Sequence, residues 1–249
     1  MQTWILLRGL TRESRHWGDF LGQFRQALPD THTIALDLPG NGGLNQQRSP
    51  LRIQNMVAHC RTQLVSRNIA PPYNILAMSM GAMVAVAWSE MYPQEVTAQV
   101  LINTSMRPFS PFHHRLLPAN YALLLKLSLL GAAPEVWERT ILYLTSNQPH
   151  DDVLSLWLVL RQKTPVSRSN AVRQLIASAR FHAPLVKPPV PTLLLTSDQD
   201  HLVSVNCSKT LANHWQCDLR VHSSAGHDLP LDDGPWVAEQ VSAWLAEEL

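Results

Sequence analysis

The sequence predicts an α/β fold, a mostly parallel, doubly wound sheet flanked by helices. Three observations predict it. Short apolar runs alternate with longer segments of helical period. Several of those runs are apolar at successive positions, as strands covered on both faces are. One long helical block then interrupts the alternation. Strand alternating with helix gives a parallel sheet. At 249 residues the chain suits a single α/β unit and can bury a core without disulfides or metals.

Strands are expected at residues 4–7, 33–36, 73–78, 99–103, 192–196 and 219–222. Most are bounded by Pro, Gly, Asp or Asn. Between them, residues 17–27 carry a helical stripe of Trp17, Phe20, Leu21 and Phe24. Residues 51–65 and 81–91 follow the same period, and Pro93 stops the second. Residues 205–215 and 235–249 complete the set, with Pro235 suited to a first helical turn. From about 107 to 185 only helical segments occur: 114–130, 134–144, 151–161 and 167–179. Gly131, Pro134, Pro149 and Pro165 punctuate them. This block leaves one strand and enters another, so it is inserted at the strand-end side, where open α/β sheets bind ligands. The expected organisation is a core of 1–106 and 186–249 with a helical cap at 107–185.

Bulk composition excludes some classes. A formal net charge of +1 with 16% charged residues gives no reason to expect nucleic acid or an anionic membrane as partner. Cys60, Cys207 and Cys217 match neither a zinc nor a redox spacing and read as reduced thiols of a cytoplasmic protein. The first residues read as a strand rather than a signal peptide. The greasiest stretch, 123–130, contains Lys126 and is too short to span a bilayer. Gly40-Asn41-Gly42-Gly43 lacks the spacing of a phosphate-binding or dinucleotide loop. His113-His114 and His150-Asp151-Asp152 have no third ligand at chelating spacing. Neither a metal nor a cofactor is expected.

The strongest local signal surrounds Ser79. A buried strand runs into it and a helix starts directly after it, a turn that exposes a strained serine hydroxyl. Such a turn tolerates only small residues two before and two after the serine, here Ala77 and Gly81. The bland alternative is a serine that only caps the helix. A serine nucleophile needs a base. His227 follows the last strand and the flexible Gly226. The base in turn needs a carboxylate, and the strand at 192–196 runs into Asp198 and Asp200, either of which qualifies.

Taken together, nearly the whole chain resembles the α/β-hydrolase superfamily, and within it the capped single-domain esterases and carbon–carbon hydrolases. Arg8-Gly9-Leu10 stands where that family has a His-Gly turn. Asp37-Leu38-Pro39-Gly40-Asn41-Gly42 resembles its D-x-P-G-x-G loop. Residues 77–81 resemble its G-x-S-x-G elbow, with Ala77 in place of the first glycine. The resemblance implies Ser79, Asp200 and His227 as catalytic residues, Asp200 being chosen because Leu202-Val203 follow it. It also implies an oxyanion hole from the backbone amides of Leu10 and Met80. Arg8 replaces the family's histidine. It is expected either to point to solvent or pair with a nearby acid, or to reach the pocket and bind a substrate carboxylate bidentately.

The expected function is hydrolysis of a small or medium carboxylic ester through an acyl-enzyme on Ser79. The substrate is a small molecule with an apolar acyl or aromatic portion, since leucines of the cap should line an apolar pocket. Two alternatives remain. One is a cofactor-free lyase or carbon–carbon bond hydrolase with the same triad. The other is a non-catalytic ligand-binding member of the fold.

Overall fold

The computed structural model describes residues 2–130, 132–148 and 151–248. Six parallel strands form one sheet: β1 (Gln2–Leu7), β2 (Thr31–Leu36), β3 (Tyr73–Met78), β4 (Val96–Ile102), β5 (Thr192–Ser197) and β6 (Asp218–His222). Their order across the sheet is β2-β1-β3-β4-β5-β6. The chain therefore reverses its direction of winding between β1 and β3. At such a switch point the connections leave in opposite directions and open a crevice at the strand ends. Leu7 pairs with Ala77 across this junction, so Arg8-Gly9 and Met78-Ser79 leave the sheet side by side.

Side chains alternate along these strands and feed two cores. Ile5, Leu7, Ile75, Ala77, Leu101 and Leu194 face one side, with helices α2 (Ile53–Ser66), α3 (Met80–Met91) and α9 (Asn206–Trp215). Trp4, Leu6, Leu76, Met78, Ile102 and Leu195 face the other, with α1 (Phe20–Ala27) and α11 (Gly234–Glu248). Helix α3 is buried on every face from Met80 to Ser89. A helix without a polar face belongs at the centre of a fold. The strand ends β2 and β6 lie at the edges and are only partly covered.

Between β4 and β5 the described residues form a helical insertion: α4 (Phe112–Arg115), α5 (Tyr121–Leu130), α6 (Pro134–Thr145), α7 (Asp151–Lys163) and α8 (Arg168–Arg180). The short helix α10 (Leu229–Asp232) precedes α11. The punctuating Gly131 and Pro149, His150 and the terminal Leu249 lie outside the described residues.

Two expected helices are broken. The expected helix at 114–130 stops at Leu116, and Pro118 opens a separate one-turn helix before α5. Pro118 brings no N–H to a helix interior. The break is used for docking: Leu117 donates its amide to the Leu202 carbonyl at 2.9 Å and accepts the Asn120 amide at 3.0 Å. The expected helix at 17–27 divides at Gly18, which turns the chain at φ 50°. That turn keeps Trp17 and Phe20 in the same core, their rings 5.4 Å apart.

The elbow after β3 depends on Gly81. A Cβ there would lie 2.5 Å from the Leu7 carbonyl oxygen and 2.7 Å from that of Arg8. Replacing Gly81 by alanine should push α3 off β1 and destabilise the fold by about 1–3 kcal/mol. Urea denaturation of the variant, read as a lower midpoint at unchanged slope, measures this cost.

Candidate active site

Ser79 follows β3 with φ 55° and ψ −117°. A non-glycine residue adopts this backbone only where its surroundings hold it. Its amide donates to the Ile102 carbonyl at 2.9 Å, and its carbonyl accepts from the Ala82 amide at 3.1 Å. The Thr104 hydroxyl donates to the same carbonyl at 3.3 Å. On the other side, a Cβ on Gly9 would lie 3.1 Å from the Ser79 Cβ. The turn after β1 thus touches the serine directly. Ala77, the departure from the elbow pattern, is fully buried, its methyl lying in the core shared with α3.

His227 and Asp200 meet in a buried contact. The imidazole Nδ1 lies 2.7 Å from Asp200 Oδ2, and both side chains are almost fully covered. The other carboxylate oxygen, Oδ1, accepts the amides of Leu202 at 2.8 Å and Val203 at 2.9 Å. One oxygen holds its own loop and the other holds the ring. Asp198 faces outward instead and pairs with Lys209 at 3.1 Å. Of the two aspartates open from the strand end, Asp200 is the one that reaches the histidine.

Further residues, not recognised from the sequence, hold the histidine turn. Asn103 follows β4 with φ 43° and is 1% exposed. Its Nδ2 donates to the His227 carbonyl at 2.8 Å and the Gly226 carbonyl at 3.2 Å. Its Oδ1 accepts the Ser197 amide at 2.9 Å and the Thr196 hydroxyl at 3.1 Å. One side chain thereby joins the ends of β4 and β5 to the histidine turn. From the helical insertion, Thr145 accepts the Asp228 amide at 2.6 Å. Gly226 is needed there, because a Cβ would sit 2.8 Å from the Thr145 oxygen. Asn147 donates to the carbonyls of Gln199 and Ser224 at 2.9 and 3.0 Å, linking the aspartate and histidine loops. An asparagine at a strand end and a helix-terminal threonine carry no sequence pattern that marks such contacts.

Arg8 does pair with an acid. Its Nη1 donates to Asp228 Oδ1 at 3.0 Å and its Nη2 donates to Oδ2. Both side chains are buried, and the guanidinium lies 4.8 Å over the Trp17 ring. The expectation that Arg8 binds a substrate carboxylate is not what the geometry presents: the guanidinium edge that would do so is occupied by Asp228.

A second charged group sits beside it. Arg12 Nη1 donates to Glu138 Oε2 of α6 at 2.7 Å, and Arg161 of α7 donates to Oε1 at 2.7 Å. The Arg12 guanidinium stacks on Trp157 at 4.0 Å. Burial lowers the Arg12 pKa, and Glu138 offsets part of that effect. His16 lies against this group, with Nδ1 accepting the Glu13 amide at 3.1 Å. Burial, then the charges of Arg12 and Arg8, hold its pKa well below the usual histidine range. The Asn41–Gly42 loop is structural, as its composition suggests. Asn41 donates to the Arg12 carbonyl at 2.9 Å and accepts from Gln174 of α8 at 2.8 Å. Burial also pushes the Cys60 thiol up to about 12 and Cys217 up to about 11, so neither is a thiolate nucleophile at neutral pH.

This fold, with a strained serine at the switch point and a buried His–Asp pair in the loops after β5 and β6, defines a class. The model of the alpha/beta hydrolase family matches residues 4–240, and the chain belongs to that family. It is 25% identical over 238 residues to the biotin biosynthesis bifunctional protein BioHC of Cellvibrio japonicus (strain Ueda107), covering 90% of this chain and 43% of that protein. The chain thus spans less than half the length of this relative. Among solved structures, it resembles a thermophilic esterase from Thermogutta terrifontis with a TM-score of 0.75 and 18% identity, covering 99% of this chain and 90% of the other. It also resembles the meta-cleavage product hydrolase from Pseudomonas fluorescens IP01 with a TM-score of 0.78 and 18% identity, covering 100% and 92%. These two likenesses establish the fold. Among the described residues no helix is long and apolar enough to cross a membrane.

Two expected outcomes follow from these contacts. Asn103→Asp should turn two donated hydrogen bonds into repulsion between oxygens, costing about 1–3 kcal/mol. Denaturation should show the loss, and amide hydrogen exchange should localise it to residues 226–228. His16 is held neutral in the folded state, whereas the unfolded chain takes up its proton near the ordinary value of about 6.5. Its contribution to stability is therefore complete above that pH and is lost as pH falls below it towards the depressed folded value. The melting temperature should drop more steeply between pH 7.5 and 5 in the wild type than in His16→Gln. Parallel slopes would show that His16 is not the group responsible.

Proposed function

We propose that this protein is a serine hydrolase that cleaves a small or medium carboxylic ester through an acyl-enzyme on Ser79. The observation that carries this reading is the 2.7 Å contact between His227 Nδ1 and Asp200 Oδ2. A hydrogen bond at Nδ1 fixes the tautomer and leaves Nε2 as the base. Ser79 Oγ attacks the ester carbonyl carbon as its proton passes to Nε2. Asp200 stabilises the resulting imidazolium. The tetrahedral oxyanion is held by the amides of Met80 and Leu10. Met80 is the first residue of α3, and the amides of a first helical turn have no partner within their helix. Leu10 lies in the turn closed by the Arg12 amide on the Gly9 carbonyl at 3.3 Å. The alkoxide leaves with the proton from Nε2. Water then attacks the acyl carbonyl carbon as one of its protons passes to His227 Nε2; the bond to Ser79 Oγ breaks, Oγ takes that proton back, and the carboxylic acid departs.

The helical insertion acts as a cap over this crevice and lines the acyl side. The substrate is a small molecule with an apolar acyl or aromatic portion. Each step draws only on the chain's own residues and on water. Carbon–carbon cleavage of a diketone acid would use the same Ser79–His227 pair. Arg8 would favour that reading if it were open to a substrate carboxylate, but its binding edge is engaged by Asp228.

The test is intact-mass spectrometry after brief treatment with a fluorophosphonate. Wild type should gain a single adduct, and Ser79→Ala and His227→Ala none. Ser79→Ala should lose turnover while unfolding at a denaturant concentration close to wild type. An unlabelled but folded wild type would sink the catalytic reading in favour of a ligand-binding one. Strong turnover of diketone acids with negligible ester cleavage would move the assignment to carbon–carbon hydrolysis.

A further inference from the structure

The Arg8–Asp228 pair connects two segments that the proposed reaction must keep in register. Arg8 is 220 positions from Asp228 in sequence, and each belongs to a different catalytic turn. The main chain of Arg8 lies against the elbow: its carbonyl oxygen is one of the two atoms closest to the space a Cβ on Gly81 would fill. The next residue, Gly9, touches the Ser79 side chain, and Leu10 follows. Asp228 adjoins His227 directly and begins the turn into α10, its carbonyl accepting the Leu231 amide at 2.9 Å. The pair is buried and both carboxylate oxygens are engaged. A bidentate fork fixes orientation as well as distance, and Trp17 backs the guanidinium.

We infer that Arg8 is a positioning residue. With Asp228 it locks the oxyanion turn to the histidine turn, so that the Leu10 amide, Ser79 and His227 are held in one geometry. This rests on the serine-hydrolase reading above. Asp228 is the partner that gives the Arg8 side chain its fixed place between the two turns. A 1 Å error in such placement costs about a hundredfold in rate, whereas binding of a neutral ester does not depend on it.

The test compares wild type, Arg8→Lys, Arg8→Met and the double variant Arg8→Met/Asp228→Leu. The readouts are melting temperature, kcat and KM on a p-nitrophenyl ester, and the rate of fluorophosphonate labelling. Arg8→Met alone strands a buried carboxylate and should lower the melting temperature sharply. The double variant removes both charges and should recover much of that stability. Its kcat and labelling rate should nonetheless remain about a hundredfold below wild type, with KM nearly unchanged. Arg8→Lys keeps the charge without the fork and should recover kcat only in part. Wild-type kcat in the double variant, or in Arg8→Lys, would overturn the inference and leave the pair purely structural. A raised KM at unchanged kcat would overturn it in favour of substrate binding. If wild type itself takes no label, the hydrolase reading fails and the inference falls with it. If wild type labels and the variants match it, only the inference fails.

Discussion

The backbone of Ser79 sits in a region that costs a non-glycine residue on the order of 1–3 kcal/mol, and the arrangement around it exists because that conformation is imposed from several sides. Gly81 lets α3 come within contact of the Leu7 and Arg8 carbonyls. The Ser79 amide is tied to β4 through Ile102. Gly9 closes the remaining side. With β1, β3 and β4 all at the centre of the sheet, the strain is distributed over the most buried part of the molecule. The serine cannot relax without moving strands that carry both cores.

The histidine turn is held in another way. It belongs to a loop beyond an edge strand, β6, so the sheet itself offers little support. Other segments replace it: the side chains of Asn103 after β4, Asp200 after β5 and Arg8 after β1, and the main-chain carbonyl of Thr145 in the helical insertion. The contacts come from four segments, and none is close to His227 in sequence. Helix α6 contributes twice, with Glu138 on Arg12 and Thr145 on the histidine turn. This part of the insertion therefore belongs to the scaffold of the histidine turn.

Charge is handled conservatively in the same region. Arg8, Arg12 and Arg161 face Asp228 and Glu138, with His16 kept neutral between them by burial and by its cationic neighbours. Buried pairs of this kind contribute little net stability, yet removing one partner is costly. That asymmetry makes them good at specifying an arrangement: any geometry that separates the pairs leaves charges unpaired away from water. The linking of the core to α6 and α7 runs through such contacts rather than through apolar packing alone.

Much of this was legible from the chain itself, for local reasons. Each strand announces itself by an apolar run between turn residues, and all six expected strands have their counterpart in the sheet. Ser79 is readable because an elbow needs small neighbours, and Ala77 and Gly81 supply them. His227 is marked by its place after a strand end. The end of the strand at 192–196 offers Asp198 and Asp200 alike; the resemblance, through Leu202-Val203, points to Asp200. Breaks at Gly18 and Pro118 were open to the same reading, since a turning glycine and an amide-less proline act locally, but helical periodicity on either side masked them. What the sequence by itself determined is therefore whatever depends on neighbours within a few residues: period, turn and motif. Tertiary structure alone decided the partners. Whether Arg8 would meet a substrate or an internal acid, and that Asn103 and Thr145 would hold the histidine turn, depend on segments up to 220 positions apart. A charged or amide side chain accepts many partners of equal chemistry, and only the packing of strands and helices brings one of them within hydrogen-bonding distance.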